Sequence, residues 1–313
     1  MKNIRLFWNI MLSWQMMDSF QKKLYDVFSE FRLQRFDATY PPYHQGDYLE
    51  EYFVKKFEDE KPNTKSYFIP VHWTAVFNYK VEEGLGPGTA NHNLRSKLFE
   101  CIANLDTSKS YFTVSTHDDA PQGPFPSGVF HFVAGGNSKL YPQAPIPLIA
   151  SGFQSYNDFQ KMVFCSFVGS VTHPLRASLL NSLSGKDGYL IQGFNWEPSV
   201  SQDKANYFKS VMEQSRFTLC PRGYGATSYR LYESIQLGSI PVYVSDKHML
   251  PWADELDWSE FCVVVHQASI PGIDMTLKSF TEADIRRMQK RLKEVYNLYF
   301  TIPAVYNQII KRV

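Results

Sequence analysis

The chain has 313 residues, 44% of them hydrophobic and 20% charged, and a formal net charge of +1. That length suits two domains of roughly 150 residues, and the near-neutral balance supplies no basic excess for holding a nucleic-acid backbone. No apolar run is long enough to span a bilayer, and Cys101, Cys165, Cys220 and Cys262, with no C-x-x-C among them, suggest neither a zinc knuckle nor a redox pair.

Leu6, Ile10, Trp14 and Met17 recur at helical spacing, and Phe20, Leu24 and Phe28 continue the pattern. An amphipathic helix packed on the domain is expected there; the same stripe also suits a helix lying on a membrane surface. Asn9, Ser13 and Gln15 interrupt the run, and no small-residue cleavage site follows, which speaks against a signal peptide. A loop at Tyr40–Tyr43 leads to a second helix with Leu49, Tyr52, Phe53 and Phe57 on one face. Ser66–Val71 reads as a strand, and Leu94, Leu98, Phe99 and Ile102 mark a helix. Tyr111–Ser115, Val129–Val133 and Ile146–Ala150 read as strands.

The second half alternates more cleanly. Strands are expected at Met162–Val168, Tyr189–Gln192, Arg216–Leu219, Ile240–Val244 and Cys262–Val265. Helices fall between them at Pro174–Leu183, Lys204–Gln214 and Ser228–Leu237. A last long helix starts near Thr281, with Asp284 three residues on as in a capping box, and carries Ile285, Met288, Leu292 and Val295. Strands alternating with helices imply parallel sheets covered on both faces. The proline-rich stretch Tyr141–Pro147 is the best candidate for a boundary, dividing the chain into 1–150 and 151–313. Two doubly wound domains in series would place a ligand beyond the carboxyl ends of the strands, in the cleft between the domains.

The segment Phe217–Glu233 is the most informative. A strand runs into a loop holding Gly223 and Gly225, and a helix begins near Ser228. Glycines let backbone approach a ligand, and the helix start offers unpaired N–H groups at the positive end of a dipole, a combination suited to a diphosphate. Arg222 at the loop entrance can add a bidentate contact. Glu233, about one and a half turns into the helix, can accept hydrogen bonds from two ribose hydroxyls. Set against this, glycine-rich strand-to-helix turns are common, the spacing is not that of a P-loop, and Arg230 with Glu233 could be a surface ion pair.

The run Leu219-Cys-Pro-Arg-Gly223, then Ser228-Tyr-Arg-Leu-Tyr-Glu233, then Gly238-Ser-Ile-Pro-Val242, closely resembles the exostosin family of glycosyltransferases. The match continues through Asp246, Leu250-Pro251 and Leu256-Asp-Trp-Ser259 to Phe261–Val265. Phe167-Val-Gly169 with Arg176 looks like the family's first donor-domain strand and loop; Tyr48–Phe53, Pro70 and His117-Asp118 echo its N-terminal domain. The resemblance implies a GT-B architecture, two Rossmann-like domains around a cleft. It also implies inverting transfer of a sugar, expected from a UDP-sugar, to a glycan hydroxyl, with no essential metal or other cofactor. No D-x-D is present, so neutralising the leaving diphosphate would fall to arginines and helix dipoles. The expected donor set is Arg176, Arg222, Gly223, Gly225, Thr227, Ser228, Arg230 and Glu233. Inversion needs a base on the far side of the sugar, and the resemblance directs the search to Thr116–Ala120, which follows a strand. Asp118 is the expected base, with Asp119 and His117 behind it; His72 is a further cleft candidate, and Asp246 lies near the donor or shapes the loop.

Two departures from the family stand out. The N-terminal membrane anchor of many members is missing, and Thr107-Ser-Lys-Ser110 stands where an arginine-bearing motif often precedes the His-Asp pair. A cytoplasmic enzyme of microbial or viral origin is therefore expected. The alternatives are a catalytically silent glycan-binding or scaffold subunit that keeps the fold, and a Rossmann enzyme with another nucleotide, which lacks support because no G-x-G-x-x-G occurs.

Overall fold

The computed structural model describes residues 18–34, 48–149, 160–197 and 200–313. The helix expected over Met1–Met17, the loop at Tyr40–Tyr43 and the 150/151 boundary lie outside them. The described residues form two parallel sheets. The first half runs α1 (Ser19–Val27), α2 (Leu49–Glu60), β1 (Tyr67–Phe68), α3 (Trp73–Phe77), α4 (Ala90–Ala103), β2 (Tyr111–Ser115), β3 (Val129–Val133) and β4 (Gln143–Pro145). Its strands stand in chain order, β1-β2-β3-β4. Along β2, Phe112 and Val114 belong to one core cluster and Tyr111 to another, as the two-residue period of a strand requires when both faces are covered. On one side α2 lays Leu49, Phe53 and Phe57 against Phe68 and Phe112. On the other, Trp73 of α3 donates from Nε1 to Thr113 Oγ1 at 2.8 Å.

The second half runs β5 (Val163–Ser170), α5 (Pro174–Leu183), β6 (Tyr189–Phe194), α6 (Gln202–Glu213), β7 (Ser215–Pro221), α7 (Tyr229–Gln236), β8 (Ile240–Ser245), β9 (Val263–His266), α8 (Ile273–Lys278), α9 (Glu282–Tyr299) and α10 (Ile302–Ile310). Its strand order is β6-β5-β7-β8-β9. The chain moves outward from β5 to β6, then returns past β5 to lay down β7, so the order reverses between β5 and β7. At such a switch point the loops leaving the two neighbouring strands diverge and open a crevice at their carboxyl ends. Helix starts are fixed locally. His173 Nδ1 accepts from Leu175 N–H at the head of α5, with Pro174 in its first turn. Thr281 and Asp284 close a capping box on α9. The last helix, α10, returns to the first half, where Tyr306 packs on Phe53 of α2 with ring centroids 4.9 Å apart.

Two expectations need correction. Of the strand expected at Ile146–Ala150, the described residues 146–149 are not strand; the edge strand is Gln143–Pro145, inside the proline-rich stretch, paired through His131↔Gln143 and Val133↔Pro145. An edge strand needs to pair on one side only, so it tolerates prolines that a central strand would not. The strand expected over Ser66–Val71 shrinks to Tyr67–Phe68, because the chain turns at Pro70 into α3.

Candidate active site

A cleft of about 620 Å³ opens between the two halves at the carboxyl ends of β5, β6 and β7. Its donor-side wall includes Gly169, Arg176, Gly223, Gly225, Thr227, Ser228, Arg230 and Glu233; its opposite wall includes Thr74, Thr116, His117 and Asp118. The switch point and the candidate base, far apart in sequence, are thus brought to one cavity.

Ser228 begins α7 as its cap, its Oγ accepting from Arg230 N–H at 3.3 Å. The helix is buried on nearly every side, from Arg230 to Gln236. Arg230 and Glu233 are therefore not a surface pair. The Arg230 guanidinium lies over the Phe167 ring at 4.4 Å and the Phe208 ring at 5.4 Å, and donates to the Val168 carbonyl at 2.8 Å. Aromatic faces hold a cation without cancelling its charge as a carboxylate would. Gly169 leaves the room for it, since a Cβ there would fall onto Arg230 Nη2. Arg176 binds the Ser170 carbonyl at 2.7 Å, the Arg222 carbonyl at 3.0 Å and the Pro221 carbonyl at 3.4 Å. It ties the loop after β5 to the loop after β7, and these two loops bound the crevice.

Arg222 is placed differently from the expectation. Its Nη1 donates to Asp246 Oδ1 at 2.6 Å and its Nη2 to the Tyr224 carbonyl at 2.9 Å. Burial works against Asp246, yet the Arg222 guanidinium holds its carboxyl below the usual aspartate value. The side chain of Arg222 does not line the cleft; it braces the glycine loop from behind, and Asp246 shapes that loop through it.

On the opposite wall, Asp118 is enclosed by two glycines. A Cβ on Gly135 would fall onto Asp118 Cα, and one on Gly225 onto Asp118 Oδ1. Burial, reinforced by neighbouring Asp119 and opposed by Arg222, pushes the Asp118 carboxyl up to about 7. His117 lines the cleft with its ring 5.2 Å from Phe77, and its Nδ1 accepts the Asp119 N–H at 3.1 Å. Asp119 turns away from the cleft to accept from Tyr224 Oη at 3.1 Å and Asn137 Nδ2 at 3.2 Å. The Tyr224 bond, with Ala226 N–H to the Gly135 carbonyl at 2.8 Å, joins the two halves beside Asp118. His72 is held by the Leu33 carbonyl at 2.6 Å and does not line the cleft.

The sequence reading missed two groups. Phe194 at the end of β6, Trp196 just after it and Tyr207 of α6, all exposed, line the cleft together with Lys204, which pairs with Glu197 at 2.8 Å. Aromatic residues directly after a parallel strand were the available signal. The second is Glu50, which bonds to Thr116 just before the Asp118 loop; it lies in the Tyr48–Phe53 stretch that echoes the family's N-terminal domain, but no site role is read from it. Among the described residues, no group of three or more His, Cys, Asp or Glu could hold a metal ion, and no helix is long and apolar enough to cross a membrane.

Two parallel α/β sheets facing one another across a cleft, with a glycine loop and helix start at the switch point of the second, make up an architecture of the GT-B fold class. Residues 147–280 match the exostosin GT47 domain, which covers the whole donor-side wall. That stretch of the chain is similar to the exostosin GT47 domain, and the match stops short of the first half. It is 29% identical over 133 residues to a probable glycosyltransferase of Arabidopsis thaliana, covering 42% of this chain and 24% of the relative. It is 38% identical over 92 residues to a probable glucuronosyltransferase of Oryza sativa subsp. japonica, covering 29% and 21%. With the probable beta-1,4-xylosyltransferase IRX10 of Arabidopsis thaliana it shares 36% over 93 residues, covering 30% and 23%. The chain thus spans about a quarter or less of the length of these curated relatives.

Proposed function

We propose that the cleft transfers a sugar from a UDP-sugar to a glycan hydroxyl, with inversion and without an essential metal. The observation that carries this reading is the opposition of Asp118 to Arg176, Arg230 and Glu233 across one cavity. The diphosphate lies against the loop 223–228 and the start of α7, where backbone N–H groups and the helix dipole favour negative charge. Arg176 and Arg230 take the countercharge role first expected of Arg222, because they line the cavity and Arg222 does not. Glu233 receives the ribose hydroxyls. Asp118 accepts the acceptor's proton as the glycosidic bond forms on the face opposite the departing diphosphate. A carboxyl poised near pH 7 is well matched to that work, since enough of it is ionised at neutrality while its basicity is far above that of an ordinary aspartate.

A panel of nucleotide sugars, assayed for UDP release in the absence of acceptor, tests the reading. The relatives' names make UDP-glucuronic acid and UDP-xylose the first donors to try. One donor is expected to be hydrolysed, with the anomeric configuration of the released sugar inverted by NMR, and with EDTA leaving the rate unchanged. Release of a sugar with retained configuration contradicts the inverting mechanism, and loss of activity in EDTA contradicts metal independence.

A further inference from the structure

Glu50 sits in the first turn of α2 and is 1% exposed. Its carboxylate accepts four hydrogen bonds. Oε1 receives Thr116 N–H at 2.6 Å, Thr116 Oγ1 at 2.9 Å and Thr74 Oγ1 at 2.8 Å; Oε2 receives Thr74 N–H at 2.8 Å. The two hydroxyls also meet each other at 3.0 Å. All four donors are neutral. Burying a carboxylate is costly unless its lone pairs are filled, and this one is filled by two segments that both wall the cleft. Thr74 belongs to α3, and Thr116 is the residue where β2 gives way to His117 and Asp118. An apolar residue would pack the same space more cheaply. The charge is explained if the position of those two segments matters.

We infer that Glu50 is a positioning residue for the transfer reaction, clamping the Thr116–Asp118 segment to α3 so that the Asp118 carboxylate stays aimed into the cleft. This rests on the reading of Asp118 as the base. Only an acceptor-only group satisfies the arrangement. In Glu50→Gln one oxygen becomes an NH2 that faces a donor, and at least one bond becomes a repulsion. A shift of the order of 1 Å at a reacting group costs about 10²-fold in rate.

The test compares Glu50→Gln, Thr74→Val and their double variant, using UDP for binding and the hydrolysed UDP-sugar for turnover. Glu50 touches no donor-side residue, so UDP affinity in Glu50→Gln is expected to stay within about twofold of wild type, while kcat falls about 10²-fold. Thr74→Val, which removes one of the four bonds to Glu50 and the contact with the Thr116 hydroxyl, should lose less, and the double variant should lose less than the product of the two effects, because both act through one network. Full kcat in Glu50→Gln overturns the inference, as does a parallel loss of UDP binding and kcat, the mark of a merely structural role. Should Glu50→Gln not fold, Thr74→Val decides: lowered kcat at unchanged UDP affinity supports the clamp, and unchanged kcat overturns it. An inactive Asp118→Asn beside a fully active Glu50→Gln removes this inference alone, whereas a fully active Asp118→Asn removes the base assignment and the clamp with it.

Discussion

Asp118 is where chemistry and stability pull in opposite directions. Its unfolded carboxyl titrates at about 3.9, while burial raises the folded one to about 7. Between those values the folded protein holds a proton that the unfolded chain has released. Ionisation of Asp118 therefore costs stability progressively from about pH 4 upward, and the whole cost is present above pH 7. Asp118→Asn should stabilise the protein by up to about 4 kcal/mol above pH 7, a gain that fades as pH falls towards 4; denaturant melts at pH 5 and pH 8 measure it. The same substitution should cut turnover by roughly 10²-fold or more with UDP binding nearly intact. In wild type, turnover should fall as pH drops below about 7, because only the ionised carboxylate accepts a proton. A variant no more stable at pH 8 than at pH 5 relative to wild type would show that the carboxyl is not held in the apolar enclosure of Gly135 and Gly225.

Among the elements, α7 carries most of the residues that the proposed function assigns to the donor. Its start is fixed by Ser228, and its cation is held between Phe167 and Phe208 rather than against an acid. Arg230→Met keeps a long side chain between the rings but removes the charge. It should weaken UDP binding at least about tenfold, the effect of losing one charge-assisted contact of 1.5–3 kcal/mol, with little change in melting temperature. Titration calorimetry and a thermal melt check it. The β-α alternation around this helix was legible in the sequence, because parallel strands buried on both faces leave continuous apolar runs such as Ile240–Val244. Gly223, Gly225, Thr227, Ser228, Arg230 and Glu233 could be named from the same stretch, and the cleft contains them all. What sequence could not show was the direction of a side chain. Arg222 and Arg176 look alike in a string of letters. Only the fold shows that one is taken up by Asp246 and the other reaches the cavity. Edge strand β4 was hidden for a different reason: its prolines carry the signature of a linker, and only its pairing with β3 makes it a strand.

At the scale of the molecule, described residues join the two halves beside Asp118, through Asp119, Tyr224 and Gly135, and at α10, which carries Tyr306 back onto α2. The proposed function depends on a nucleoside diphosphate occupying the donor side of the cleft. Titration of UDP into the wild-type protein and into Glu233→Ala tests that most directly. The account predicts one UDP per chain, with binding lost or weakened at least about tenfold when the ribose contact is removed. UDP affinity identical in the two proteins, or no binding to wild type at all, would contradict it.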